Sequence, residues 1–281
     1  MACLPGCAGG PQGGEARLAL VIGNAAYVNA PALNNPANDA ADMCAALKRL
    51  HFHTLCYTNL RDRAETEAAV QAYVDQLTPA TLGVVFYSGH GVQVNGANFL
   101  IPTEVQPRAV SESPLRVLYG LDDLFDGMRQ RPARYQLVIL DACRTELFAQ
   151  PPRQGGTPAP KPAARSMLVR SLETLPKVGN GLAPITDAPP HTSVLYATAS
   201  HEAAYDGRGR NGPLTKTVLE NIDRRNQPMN VFLQRVTEGV ESETRQDYGR
   251  AMTPFVYGAL TDKICFAGCF KPMQNDVAPM Q

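Results

Sequence analysis

Two apolar runs, VVFYSGHG (Val84 to Gly91) and LVILDACR (Leu137 to Arg144), constrain this chain more than any other feature. Each is β-type sequence that stops at a polar residue with catalytic capacity, His90 in the first and Cys143 in the second. Set side by side as parallel strands, the runs end at the same edge of a sheet, which is where open α/β sheets place their sites. An imidazole and a thiol then share one crevice.

The flanking sequence predicts the parallel sheet that such a pairing requires. Arg17 to Ile22 reads as a buried strand stopped by Gly23-Asn24, and Pro36 opens a helix with Ala40, Met43, Ala46, Leu47 and Leu50 on one face. A second strand follows over Phe52 to Thr58, and Asp62 opens a helix running to about Leu77. Leu82 to Tyr87 is the third strand. Asn95-Gly96, within VQVNGANFLIP, predicts a hairpin turn. Leu121 to Met128 reads as helix and Gln136 to Leu140 as the fourth buried strand. Ser193 to Ala199 and Phe255 to Tyr257 read as later strands, with helices at Pro213 to Ile222 and Met229 to Val240 between them. This alternation of strand and helix predicts a doubly wound, mostly parallel sheet.

Composition narrows the function classes. Lys and Arg number 26 and so do Asp and Glu, so nothing favours a general nucleic-acid or anionic-membrane binder, and neither is expected as a partner. No apolar run approaches the roughly 18 residues of a membrane span. Seven cysteines are odd in number and scattered, which fits free thiols in a reducing, cytoplasmic setting better than a disulfide framework. Cys265 and Cys269, in CFAGC, lack two further ligands at matching spacing, so they read as tail thiols and no metal site is expected. The opening MACLPGCAGG has LPGC before small residues but neither a basic region nor an apolar stretch ahead of it, and it reads as disordered.

The expected organisation is a disordered start over 1–16, a catalytic part over 17–149, a connector over 150–191, a smaller part of the same domain over 192–262 and a tail over 263–281. The connector holds nine prolines between Gln150 and Pro190 and is basic, through Arg153, Lys161, Arg165, Arg170 and Lys177. It reads as exposed and irregular.

In order along the chain, LALVIGNAAY, LNNPANDAADM, VVFYSGHG, NFLIPTE, LVILDACR and NGPLTKTVL resemble the caspase-like cysteine peptidases, and more closely their metacaspase and prokaryotic branch, over about Arg17 to Leu260. His90 precedes Cys143 by 53 positions, matching the alanine-cysteine signature with a histidine about 50 residues upstream that is known in caspases. The resemblance implies a three-layer α/β sandwich, a mostly parallel sheet flanked by helices, and a Cys143–His90 dyad for peptide hydrolysis. Cys143 attacks as the thiolate, and His90 stabilises that charge and protonates the leaving amine. The backbone N–H groups of Gly91 and Cys143 are the implied oxyanion donors. Gly89 and Gly91 read as positions where a missing side chain lets substrate approach.

Specificity departs from that of animal caspases. Those enzymes read an aspartate side chain and carry a glutamine two positions before the nucleophile; here that position is Asp141. In the metacaspase-like pattern a second acid comes from the first helix, where Asp39 stands, and Ser88 fits the same pocket. Two carboxylates in a cleft match a guanidinium or ammonium group, so protein or peptide substrates with Arg or Lys before the cleaved bond are expected. The plainer readings are a solvated helix-face acid for Asp39 and a turn cap for Asp141. Asp206 either lines the cleft or makes a turn, and Arg144 reads as structural. Arg165 and Arg170 are candidate self-cleavage sites, and Ser166 to Leu175 reads either as linker or as a segment covering the cleft. No cofactor is needed for the chemistry; Ca²⁺, a small signalling ligand or a partner protein is the expected kind of activator. A bacterial stress or anti-phage cell-death role is what the resemblance implies. The competing expectation is a caspase-fold scaffold that binds without turnover.

Overall fold

A computed structural model describes residues 15–143, 178–180, 182–185, 187–198, 207–261 and 263–269. The strands are β1 (Ala16–Gly23), β2 (His53–Thr58), β3 (Thr81–Val94), β4 (Ala97–Leu100), β5 (Tyr119–Gly120), β6 (Tyr135–Cys143), β7 (Val178–Asn180), β8 (Thr192–Tyr196) and β9 (Phe255–Gly258). The helices are α1 (Pro36–Arg49), α2 (Arg63–Val74), α3 (Pro107–Glu112), α4 (Pro114–Val117), α5 (Leu121–Gln130), α6 (Pro213–Asn221) and α7 (Met229–Tyr248). The main sheet runs in the order β2-β1-β3-β6-β8-β9, parallel except for β9.

Alternation along the central strands explains the layers. Val84 and Phe86 of β3 and Leu137 and Ile139 of β6 face one side with Ala40, Met43 and Leu47 of α1, Val218 of α6 and Phe232 of α7. Val85, Tyr87, Val138 and Leu140 face the other, against Val70 and Tyr73 of α2 and Phe125 and Met128 of α5. Because both faces are covered, the strands are continuously apolar, as parallel sheets demand. This is the expected three-layer sandwich.

The local signals act as the sequence indicates at several points. Asp62 caps α2 by accepting a hydrogen bond from the Glu65 N–H at 2.8 Å. Asn95 and Gly96 both have positive φ, 53° and 86°, as the tight turn between β3 and β4 requires. β3 is much longer than expected: beyond His90 it leaves the parallel sheet and pairs antiparallel with β4 and β7. α7 also continues past Val240 to Tyr248: the apolar spacing stops at Val240, but Thr244 stays buried, its hydroxyl donating to Val240 O and accepting from the Met252 N–H, and Gly249 caps the helix with φ 71°.

Three expectations are corrected. Part of the proline-rich connector belongs to the body: β7 pairs with β3, and Leu182, Ala183 and Ile185 are buried. The tail begins inside the core, where Ile264 and Phe266 are buried and Phe266 packs edge-on against Phe232. Finally, Cys44 is bonded to Cys56, and Cys265 to Cys269. These four are therefore not free thiols, and since disulfides persist in oxidising surroundings, the cysteine argument for a reducing cytoplasm no longer holds. Among the described residues no helix is long and apolar enough to cross a membrane.

Candidate active site

The parallel register of β3 and β6 sets Ser88 opposite Asp141, Gly89 opposite Ala142 and His90 opposite Cys143. The two strand ends that carry the chemistry are thus neighbours across one ladder, and β1 stops beside them with Gly23 opposite Ser88.

His90 is fully buried and held from several directions. Its Nε2 lies 2.8 Å from the Pro31 carbonyl. A carbonyl only accepts, so this contact places the ring proton on Nε2 and makes Nδ1 the nitrogen that exchanges a proton with a thiol. The His90 backbone is clamped by two tyrosines. Its N–H donates to Tyr27 Oη at 2.8 Å, and Tyr87 Oη donates to its carbonyl at 2.7 Å. The Tyr27 ring also lies against the imidazole, with centroids 4.3 Å apart. Asn24 secures the same corner by bonding Ile101 O and the Leu60 N–H.

Gly89 makes this clamp possible. A Cβ there would stand 2.8 Å from both tyrosine hydroxyls and 3.1 Å from Asn24 O, on a backbone with φ 155°. A Cβ on Gly91 would stand 3.0 Å from Leu182 and 3.1 Å from Ala142. The space beside both glycines is filled by protein, so they allow internal packing rather than substrate approach. Gly89→Ala is expected to push His90 out of line and lower kcat on the order of 100-fold, since a displacement near 1 Å has that scale of effect. Steady-state kinetics beside a thermal melt checks this; unchanged kcat would show that the clamp does not position the ring.

The acids also converge. Asp39, near the start of α1, is 1% exposed, and Asp141 is 7% exposed. Ser88 Oγ donates to Asp39 Oδ2 at 3.0 Å, while Asn211 Nδ2 and the Gly212 N–H donate to Oδ1 at 3.1 Å each. Thr215 donates to Asp141 Oδ2 through its hydroxyl at 2.7 Å and its N–H at 3.3 Å. Gly212 lies between the two carboxylates, where a Cβ would be 3.1 Å from Asp141 Oδ2 and 3.7 Å from Asp39 Oδ2.

A family model described as Caspase domain matches residues 16–265. The chain belongs to the caspase-domain family. It is similar to mucosa-associated lymphoid tissue lymphoma translocation protein 1 of Homo sapiens, 27% identical over 128 residues, and to its Mus musculus homolog, 28% identical over 130. Each comparison covers 46% of this chain but only 15% of the relative, so the chain matches a small part of those proteins.

In this caspase domain the carboxylates are electrostatically unlike one another. Burial and the nearby Asp141 charge push Asp39 up to about 7, against the lowering effect of bonds from Asn211, Ser88 and Gly212. Asp42, one turn further along α1, is held below its ordinary value, chiefly by the Arg210 guanidinium. Two buried carboxyls that resist joint ionisation are poised to take up a cation.

The sequence singled out His90, Cys143, Ser88, Asp39 and Asp141 as candidates, and the fold brings their positions together. It missed Tyr27, Tyr87, Pro31, Asn211, Gly212 and Thr215. Tyr27 and NGPLT (Asn211 to Thr215) lay inside the quoted motifs, but which atoms they bond is set by tertiary contact. Asp206, Arg144, Arg165, Arg170 and Ser166 to Leu175 lie outside the described residues.

Proposed function

We propose that this caspase domain is a cysteine endopeptidase that cleaves after Arg or Lys, with Cys143 as nucleophile and His90 as its proton partner. The observation that carries the specificity is the buried pair of acids, Asp39 and Asp141, fixed one on α1 and one two residues before Cys143 on β6. An aspartate-reading pocket would place cations there; two carboxylates repel an anionic side chain and favour a guanidinium, which binds carboxylate in a planar, two-pronged way.

In the proposed reaction the Cys143 thiol gives its proton to His90 Nδ1 and attacks the scissile carbonyl. The oxyanion is met by backbone donors. Ile101 N–H donates to the His90 carbonyl, so Gly91 and Leu100 face each other as a non-hydrogen-bonded pair. The Gly91 N–H therefore points away from β4, toward the β6 side, which supports its assignment as a donor. The imidazolium then protonates the leaving amine, and the C–N bond breaks to leave an acyl-enzyme that water hydrolyses.

A peptide panel differing only in Arg, Lys or Asp before the cleavable bond tests the proposal. Arg and Lys peptides are expected to exceed Asp by at least about 100-fold in kcat/KM, the scale of a charged group matched or mismatched in a buried site. Preference for Asp would overturn the pocket. Absence of turnover with Ca²⁺, small ligands and candidate partners would favour the binding-only reading.

A further inference from the structure

The acidic pair is already occupied from within. Residues 207–212 cross over α1, and the side chains of Arg210 and Asn211 and the Gly212 N–H bond the acidic end of that helix, while the Arg208 guanidinium lies over the Tyr248 ring of α7. Asn38 Nδ2 donates to Arg210 O at 3.2 Å. The Arg210 guanidinium grips Asp42 with two bonds, Nε to Oδ2 at 2.8 Å and Nη2 to Oδ1 at 3.1 Å. Asn211 Nδ2 reaches both Asp39 Oδ1, at 3.1 Å, and Asp42 Oδ2, at 3.0 Å. Gly212 completes the crossing through its N–H on Asp39 and its backbone against Asp141. With Asp39 1% exposed and Asp141 7% exposed, a substrate guanidinium touches them only if this segment shifts.

We propose that the Arg210–Asp42 pair is a latch that sets how readily the acidic pocket accepts a basic substrate side chain. Arg210 is the enzyme's own guanidinium, seated one helical turn from the acid that the substrate must reach. It does not occupy the pocket floor; it fastens the segment whose Asn211 and Gly212 do. The pair is exposed, with side-chain accessibilities of 61% for Arg210 and 29% for Asp42, so water replaces it easily and the latch is shallow enough to open during turnover. A binding-competent state that is only fractionally populated raises the apparent KM by the inverse of that fraction. Loosening the latch therefore lowers KM and leaves kcat in place, because neither residue touches the reacting atoms.

The latch rests on the basic-residue reading of the pocket, and its test separates the two. Arg210→Ala and Asp42→Asn are each expected to lower KM for an Arg peptide about threefold to fivefold at unchanged kcat, the scale of one exposed pair. The double variant is expected to match either single variant rather than multiply their effects, because both remove one interaction. Hydrogen exchange at the Gly212 amide, which donates to Asp39, is expected to quicken in each variant by a similar factor. A rise in KM for Asp42→Asn would mean that Asp42 reads the substrate directly and would overturn the latch. Unchanged KM and unchanged exchange would reduce the pair to surface decoration. If wild-type protein cleaves no basic peptide, the pocket reading fails, and the exchange rates still decide whether Arg210 fastens the segment.

Discussion

Cys143→Ala is expected to abolish peptide hydrolysis, and His90→Ala to lower it by at least about 1,000-fold, without unfolding the protein. The expectation rests on the ladder between β3 and β6, which sets the two residues opposite each other at the ends of strands buried on both faces. Removing the thiol removes the only group proposed to form the acyl-enzyme. Removing the imidazole leaves a thiol with no partner to take its proton and none to protonate the amine. Since the two act as a unit, the double variant is expected to be no worse than Cys143→Ala alone. Progress curves for an Arg peptide, with far-ultraviolet circular dichroism on each variant, check this. Residual cleavage by Cys143→Ala at more than a few per cent of wild type would require another nucleophile.

Asp39→Asn is expected to act in opposite directions on activity and stability. It removes a charge that the substrate cation needs, so kcat/KM for Arg and Lys peptides should fall by about 30-fold or more, as for loss of one partner from a buried charge pair. Yet Asn fits the site: its carbonyl can accept from Asn211 and Gly212, and its amide can donate to the Ser88 hydroxyl, which turns to accept. The sign of the stability effect follows from the Asp39 carboxyl titrating near 7 when folded, above its ordinary 3.8. The folded protein holds a proton that the unfolded chain has lost, so wild-type stability falls as pH rises from about 4 to about 7. The variant lacks that loss. Its melting temperature should equal that of wild type near pH 4 and exceed it by several degrees at pH 8. In wild type, binding of a basic peptide draws the proton off, so KM should rise as pH falls below 7, and that limb should be absent from Asp39→Asn. A pH series of melts and of KM values measures both; a variant less stable than wild type at pH 8 would contradict the buried, proton-retaining environment.

The parts of the molecule governed by local rules were legible in the sequence. Short continuous apolar runs gave the central strands, Pro36 and Asp62 gave helix starts, and Asn95-Gly96 gave the hairpin. The candidates for the dyad and the acid pair came from the resemblance carried by the motifs; the fold shows that their positions are neighbours, through the β3–β6 ladder and the bond from Ser88 to Asp39. Contacts between distant segments were not legible. Nothing in Pro31 announces that its carbonyl will receive His90 Nε2, and Tyr27 and Tyr87 look like core aromatics until their hydroxyls are found on the His90 backbone. The connector hid β7, whose three residues Val178 to Asn180 carry no strand pattern of their own, and proline density outweighed the apolar spacing of the buried Leu182, Ala183 and Ile185 that follow it. The two cysteine pairs join segments whose proximity arises only on folding in one case, and in the other lie in a short tail with no helical or strand period to guide the reading.

The dyad and the pocket stand or fall together on one labelling measurement. The purified protein is treated with a peptide electrophile carrying Arg next to a thiol-reactive ketone, or with its Asp counterpart, and the intact mass and the modified residue are read. The account predicts a single adduct on Cys143 with the Arg reagent, suppressed in His90→Ala and Asp141→Asn, and none with the Asp reagent under the same conditions. An adduct at another residue, or equal labelling of Cys143 by both reagents, would contradict it.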